Sequence, residues 1–136
     1  AVAQSEDNPG HIIPLPWSVR IAMEHFAGDI RPGDVIVIND PYSGGTHLND
    51  VAVICPVFLE GQLVLFPAIR AHWADVGGMT PGSLSGTSTE IFQEGVRIPP
   101  IKVYEGGKEV RGVVDLLFAN MRVEPERRGD LQAMIE

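Results

Sequence analysis

Apolar residues recur at helical spacing in WSVRIAMEHFAGDI, where Val19, Ala22, Met23 and Phe26 follow Pro14 and Pro16 and precede Gly28. The spacing predicts a helix over about 16–27. The pattern then changes. In RPGDVIVIND, Pro32 and Gly33 form a turn, and Val35 to Ile38 make an uninterrupted β-branched run, the mark of a strand buried on both faces. Asn39, Asp40 and Pro41 end it. A second strand fits Val51 to Phe58, a Glu-Gly turn follows at 60–61, and a third strand fits Leu63 to about Ala71. This pair predicts an antiparallel hairpin.

Between Gly77 and Gly86 the run GGMTPGSLSG combines glycines, a proline and hydroxyls, a composition that builds loops. A short helix is expected from Ser88 or Thr89 through Glu94, and IKVYEGGKEV reads as a hairpin turning at Gly106 and Gly107. VVDLLFANM and PERRGDLQAMIE predict two closing helices, the second with Pro125 in its first turn. Strands and helices do not alternate regularly, so the expected class is α+β: a mixed or antiparallel sheet with hairpins, flanked by helices.

At 136 residues the chain is expected to form a single domain over 1–136. Hydrophobic residues at 44% and charged residues at 21% place it with packed globular proteins rather than disordered ones. Eighteen acidic residues against ten basic give a net charge of −8, which argues against a nucleic-acid or anionic-membrane partner. No apolar run reaches the ~18 residues of a membrane span, and the N-terminus lacks the pattern of a signal peptide. Cys55 stands alone in an apolar run, where a thiol serves as a small hydrophobe. A cytoplasmic location is the expectation. Position 1 is not Met, and the C-terminus stops inside a helical pattern, so the chain reads as a fragment of a larger subunit.

The chemistry concentrates between Asn39 and Asp75. His47 with Asp50, and His72 with Asp75, repeat a three-residue spacing beside predicted strand ends, and a tight turn between the strands brings the two pairs to one end of the hairpin. Imidazoles and carboxylates converging from rigid elements suit a divalent transition metal with an open position. The same residues also suit ordinary turn hydrogen bonding. His11 and His25 have no carboxylate at matching spacing, and His25 falls within the predicted helix as a structural residue. The amides of Gly77 to Gly86 are equally suited to receiving an anion or to forming a plain connection, and the arrangement of a nucleotide P-loop is absent.

GDVIVINDPYSGGTHLNDVAVICPVF, RAHWADVGGMTPGS, TEIFQEGVRIPPIKVYEGG and ANMRVEPERRGDLQA together resemble the hydantoinase B family, which includes N-methylhydantoinase and 5-oxoprolinase components and the alpha subunit of acetone carboxylase. The resemblance covers nearly the whole chain and implies an N-terminal portion of a longer subunit. It implies a metal held by His47, Asp50 and His72, with Asp40 and Asp75 near enough to complete or orient the set. Manganese, zinc or iron is the expected ion. Asp75 and Glu94 are the candidate catalytic acid or base residues.

The resemblance further implies ATP use by a hydantoinase A-like ATPase partner in a hetero-oligomer, which phosphorylates the small-molecule substrate before this subunit acts. The implied activity is hydrolysis of cyclic amides. An acetone carboxylase-like carboxylation and a non-catalytic assembly module stand as alternatives. SEDNPGHIIPLPW departs from the form common among hydantoinases, which leaves the branch open. A piece separated from its subunit is also expected to uncover Leu116, Leu117, Phe118 and Met121 and so to self-associate.

Overall fold

The computed structural model describes residues 8–136. A short helix α1 (Pro9–Ile12) leads into α2 (Leu15–His25), the helix expected over 16–27. Strands β1 (Val35–Ile38), β2 (Asp50–Ile54), β3 (Val57–Leu59), β4 (Gln62–Leu65), β5 (Ala68–His72), β6 (Ile101–Glu105) and β7 (Lys108–Glu109) follow, and α3 (Arg111–Ala119) and α4 (Glu124–Ile135) close the chain. The class is α+β, as expected.

Five strands form an antiparallel sheet in the order β5-β2-β1-β6-β7. Because side chains alternate across a strand, the run Val35 to Ile38 supplies both faces of this sheet. Val35 and Val37 join Val51, Val53, Val103, Val114 and Phe118 in the larger core, with α3 and α4 above them. Ile36 and Ile38 join Ala52, Ile54 and Ala22 under α2. The sheet is thus sandwiched between helices, and β1 is buried on both sides because it sits at the centre.

Three expectations change. The long hairpin expected from Val51 to Ala71 is two ladders, β2 with β5 inside the sheet and β3 with β4 in a separate two-stranded ribbon. Pro56 and Pro67 interrupt it, since proline has no N–H to give a ladder, and the last rung is Cys55 N–H donating to the Pro67 carbonyl at 2.9 Å. The short helix expected through Glu94 is a single 3-10 turn, Ile91–Gln93. Of the four residues expected to be uncovered, Phe118 and Met121 are buried in the core, Leu117 packs against it, and Leu116 alone is exposed. Helix α3 turns its 114/118 face to the sheet, leaving Leu116 on the outer side.

Cys55 is half-buried against the core, and burial pushes its thiol up, which fits the small-hydrophobe role. Among the described residues no helix is long and apolar enough to cross a membrane.

A polar clasp ties the loop before β1 to the β6–β7 turn. Buried Asp34 accepts hydrogen bonds from Arg31 N at 2.9 Å and Gly106 N at 3.0 Å, and Lys102 Nζ lies 3.0 Å from its carboxylate. Burial raises the Asp34 pKa, but the two amides and the ammonium outweigh it and hold the carboxyl below its ordinary value. A carboxylate depressed on folding contributes stability that is present above its unfolded pKa of about 3.9 and is lost as pH falls through the folded value. Hydrogen-exchange protection of residues 101–107, corrected for intrinsic rates, is therefore expected to decline as pH falls below about 4. Asp34→Asn should start with lower protection and show a flatter decline. An unchanged pH profile in the variant would refute the role given to Asp34.

Candidate metal centre

The loop leaving β1 is built to return sharply. Asp40 Oδ1 accepts from Tyr42 N at 3.0 Å and starts the 3-10 turn Pro41–Ser43, and Gly45 N closes back on the Asp40 carbonyl at 2.8 Å. A Cβ on Gly45 would stand 2.1 Å from the Asn39 carbonyl oxygen, so only glycine allows this approach. Leu48, fully buried, then pins the chain, and Asp50 enters β2 directly opposite His72 at the end of β5. Asp50, Ala52 and Ile54 share a sheet face with their register partners His72, Arg70 and Ala68, the face covered by α1 and α2.

The Asp50 side chain is 1% exposed and meets three imidazoles. His72 Nδ1 lies 2.7 Å and His11 Nε2 3.3 Å from Oδ1, whereas His47 Nδ1 lies 3.1 Å from Oδ2. Oδ2 also accepts from Thr46 Oγ1 at 2.5 Å and His47 N at 3.2 Å. Burial raises the pKa of Asp50; hydrogen bonds from Thr46, His72 and the His47 amide, with the charge of His11, oppose it and hold the carboxyl at about 2. Asp50 is therefore a buried carboxylate that stays ionised among hydrogen-bond donors. Among the described residues, His11, Asp50 and His72 form a group whose ligand atoms all lie within 4.8 Å of one another. Two nitrogens and a carboxylate oxygen are a fitting donor set for a divalent transition metal.

Of the four side chains expected to meet, His47, Asp50 and His72 do so and Asp75 does not. Asp75 Oδ1 accepts from Gly77 N at 2.8 Å, and Oδ2 accepts from Gly82 N at 2.8 Å and Arg122 Nη1 at 3.1 Å. Burial raises its pKa; these donors prevail and lower it. It thus knots the 77–82 loop to the α3–α4 junction, and two of the loop amides considered for an external anion serve this internal carboxylate. Asp40 is likewise occupied, capping its turn, with Arg97 at 3.7 Å. Glu94 sits exposed after the second 3-10 turn, beside a surface depression of about 380 Å³ shared with Tyr42 and Ser88.

Two residues of the cluster lie outside the His/Asp pairs that the sequence singles out. His11 arrives on α1, far from the His/Asp pairs in sequence. Arg70 is buried on the same face, donating from Nη2 to Ser18 Oγ at 2.6 Å and Gly44 O at 3.2 Å, and from Nη1 to the His11 carbonyl at 3.4 Å. Burial depresses its pKa and Asp50 opposes that shift. A period-2 reading from His72 back to Arg70 places the guanidinium on this face, a signal available once β5 is assigned.

Residues 1–136 match the family model described as Hydantoinase B/oxoprolinase. The chain is 36% identical over 132 residues to the caprolactamase subunit beta of Pseudomonas jessenii, covering 97% of this chain and 23% of that subunit. It is 44% identical over 117 residues to 5-oxoprolinase 1 of Arabidopsis thaliana, covering 85% of this chain and 9% of that protein. In structure it matches the ATP-dependent caprolactamase from Pseudomonas jessenii with a TM-score of 0.94 at 36% identity, over 98% of this chain and 23% of that one. A nucleotide-free acetone carboxylase shares the fold, with a TM-score of 0.74 at 22% identity over 85% of this chain and 15% of that one. The chain therefore spans less than a quarter of the length of these relatives. With a family match from the first residue to the last and the same fold at 36% identity, this chain belongs to the hydantoinase B/oxoprolinase family.

Proposed function

We propose that this chain carries the metal-binding part of an ATP-dependent hydrolase acting on cyclic amides, with His47, Asp50 and His72 as metal ligands. The observation that carries the reading is the buried Asp50 carboxylate faced by imidazoles at 2.7, 3.1 and 3.3 Å. Family membership supports it, with an ATP-dependent caprolactamase and 5-oxoprolinases among the relatives. ATP is consumed by a hydantoinase A-like partner subunit, and this chain's site receives the activated small molecule. Manganese, zinc and iron all suit the donor set.

When bound, such an ion supplies Lewis-acid chemistry, drawing electron density from a substrate oxygen or making water a stronger acid. The protein's own residues prepare the place. Asp50 contributes the single negative charge, and Thr46 with the His47 amide fixes its carboxylate plane. A divalent ion with one carboxylate and neutral imidazoles keeps a net positive charge, and Arg70 nearby adds another, which favours an anionic, phosphorylated substrate despite the acidic surface elsewhere. Exposed His47 and half-exposed His72 form the open rim through which substrate reaches the buried carboxylate.

Dialysis of the whole assembly against a chelator is expected to abolish ATP-dependent opening of a cyclic amide, and resupplying one of the three ions should restore it. Full turnover by protein shown metal-free by elemental analysis would overturn the reading.

A further inference from the structure

We infer that His11, delivered by α1, is a further ligand of the metal at Asp50 and His72; this rests on the metal reading above. Its Nε2 and His72 Nδ1 converge on one oxygen, Asp50 Oδ1, at 3.3 and 2.7 Å. His47 approaches the opposite oxygen, already occupied by Thr46 and the His47 amide. The compact donor group is thus on the Oδ1 side, where ligand atoms of His11, Asp50 and His72 all stand within 4.8 Å. A cation there can draw on two imidazole lone pairs and one carboxylate oxygen together, whereas a hydrogen-bond network requires both rings to aim N–H groups at that oxygen.

The position of His11 is built. Asn8 Oδ1 accepts from Gly10 N at 2.9 Å to start α1, and Pro9 fixes its first turn. Arg70 Nη1 holds the His11 carbonyl at 3.4 Å while its Nη2 holds Ser18 and Gly44, so one guanidinium fastens α1, α2 and the loop leading to His47. The His11 side chain is 23% exposed against 72% for His47. A sheltered, anchored imidazole loses less freedom on binding an ion than an exposed one.

The test uses the whole protein in its native assembly, stripped of metal and titrated with Co²⁺ alone, read by its visible absorption bands and by affinity. His11→Ala should alter the bands and weaken Co²⁺ binding by about 100-fold, at or beyond the upper end of the loss typical for outer-shell partners. Added imidazole should restore the wild-type bands, a rescue that a packing role would not give. His11→Gln, which keeps the side-chain bulk, should also show altered bands, and His25→Ala, at an exposed position at the end of α2, should behave as wild type. Unchanged bands and affinity in folded His11→Gln would overturn the assignment of His11 and leave the Asp50 site standing. Failure of the wild type to bind Co²⁺ would overturn both.

Discussion

Asp50→Asn in the whole enzyme is expected to lower turnover by about 100-fold or more, since altering an outer-shell partner alone costs about 10–100-fold. The substitution is chosen to separate charge from shape. An asparagine oxygen can still accept from Thr46 Oγ1 and the His47 amide, which position the side chain. Its amide nitrogen would then face His72 and His11, replacing the negative charge with a donor where a cation is proposed. Bound metal should fall with turnover, and circular dichroism should show the fold retained. His72→Ala and His47→Ala are expected to abolish turnover as well while leaving the fold largely intact, because residues near strand ends contribute little to the core. If Asp50→Asn loses its fold in proportion to its activity, Asp50 is a structural residue and the metal reading loses its anchor.

Asn39→Leu is expected to destabilise the protein by roughly 3 kcal/mol or more. Asn39 is fully buried at the end of β1. Its Nδ2 donates to the carbonyls of Leu48 at 2.7 Å and Val96 at 2.9 Å, and its Oδ1 accepts from Ile98 N at 2.6 Å. Leucine would strand all three backbone groups away from water, at about 1–3 kcal/mol each before relaxation. Asn39→Asp should also fail, because an ionised carboxylate cannot donate to two carbonyls. Denaturant unfolding measures the loss, and weaker metal binding should accompany it because Leu48 fixes the turn that delivers Asp50. A cost under about 1 kcal/mol would show that water or rearrangement satisfies the stranded groups.

The middle of the sheet was legible because β1 is an unbroken β-branched run and β2 is rich in valine and isoleucine, and the central placement of β1 followed from apolar residues at every position. Pro56 and Pro67 marked the break in the hairpin just as plainly, since neither can donate to a ladder; the apolar stretch across them concealed it. Asp50 and His72 could be placed together because an antiparallel turn sets which residues face each other. His11 could not, because no local period links a four-residue helix to a strand end so far along the chain. Asp75 shared the spacing of Asp50, but spacing does not carry direction beyond the end of a strand. There the amides of Gly77 and Gly82 needed an acceptor, and Asp75 was the carboxylate they enclosed.

The pairing of β2 with β5 also bears on the chain entropy of assembling the cluster. Asp50 and His72 are 22 residues apart, and Arg70 and the His11 carbonyl it holds are 59 apart. Closing the longer loop costs roughly 1 kcal/mol more in chain entropy, so the strand pair forms at lower cost than the docking of α1. The Glu60–Gly61 turn, with both residues at positive φ, closes the β3–β4 ribbon that joins β2 to β5. Substitutions at this turn, remote from Asp50, are therefore expected to reach the site as a change in the rate at which it forms, with its finished geometry retained.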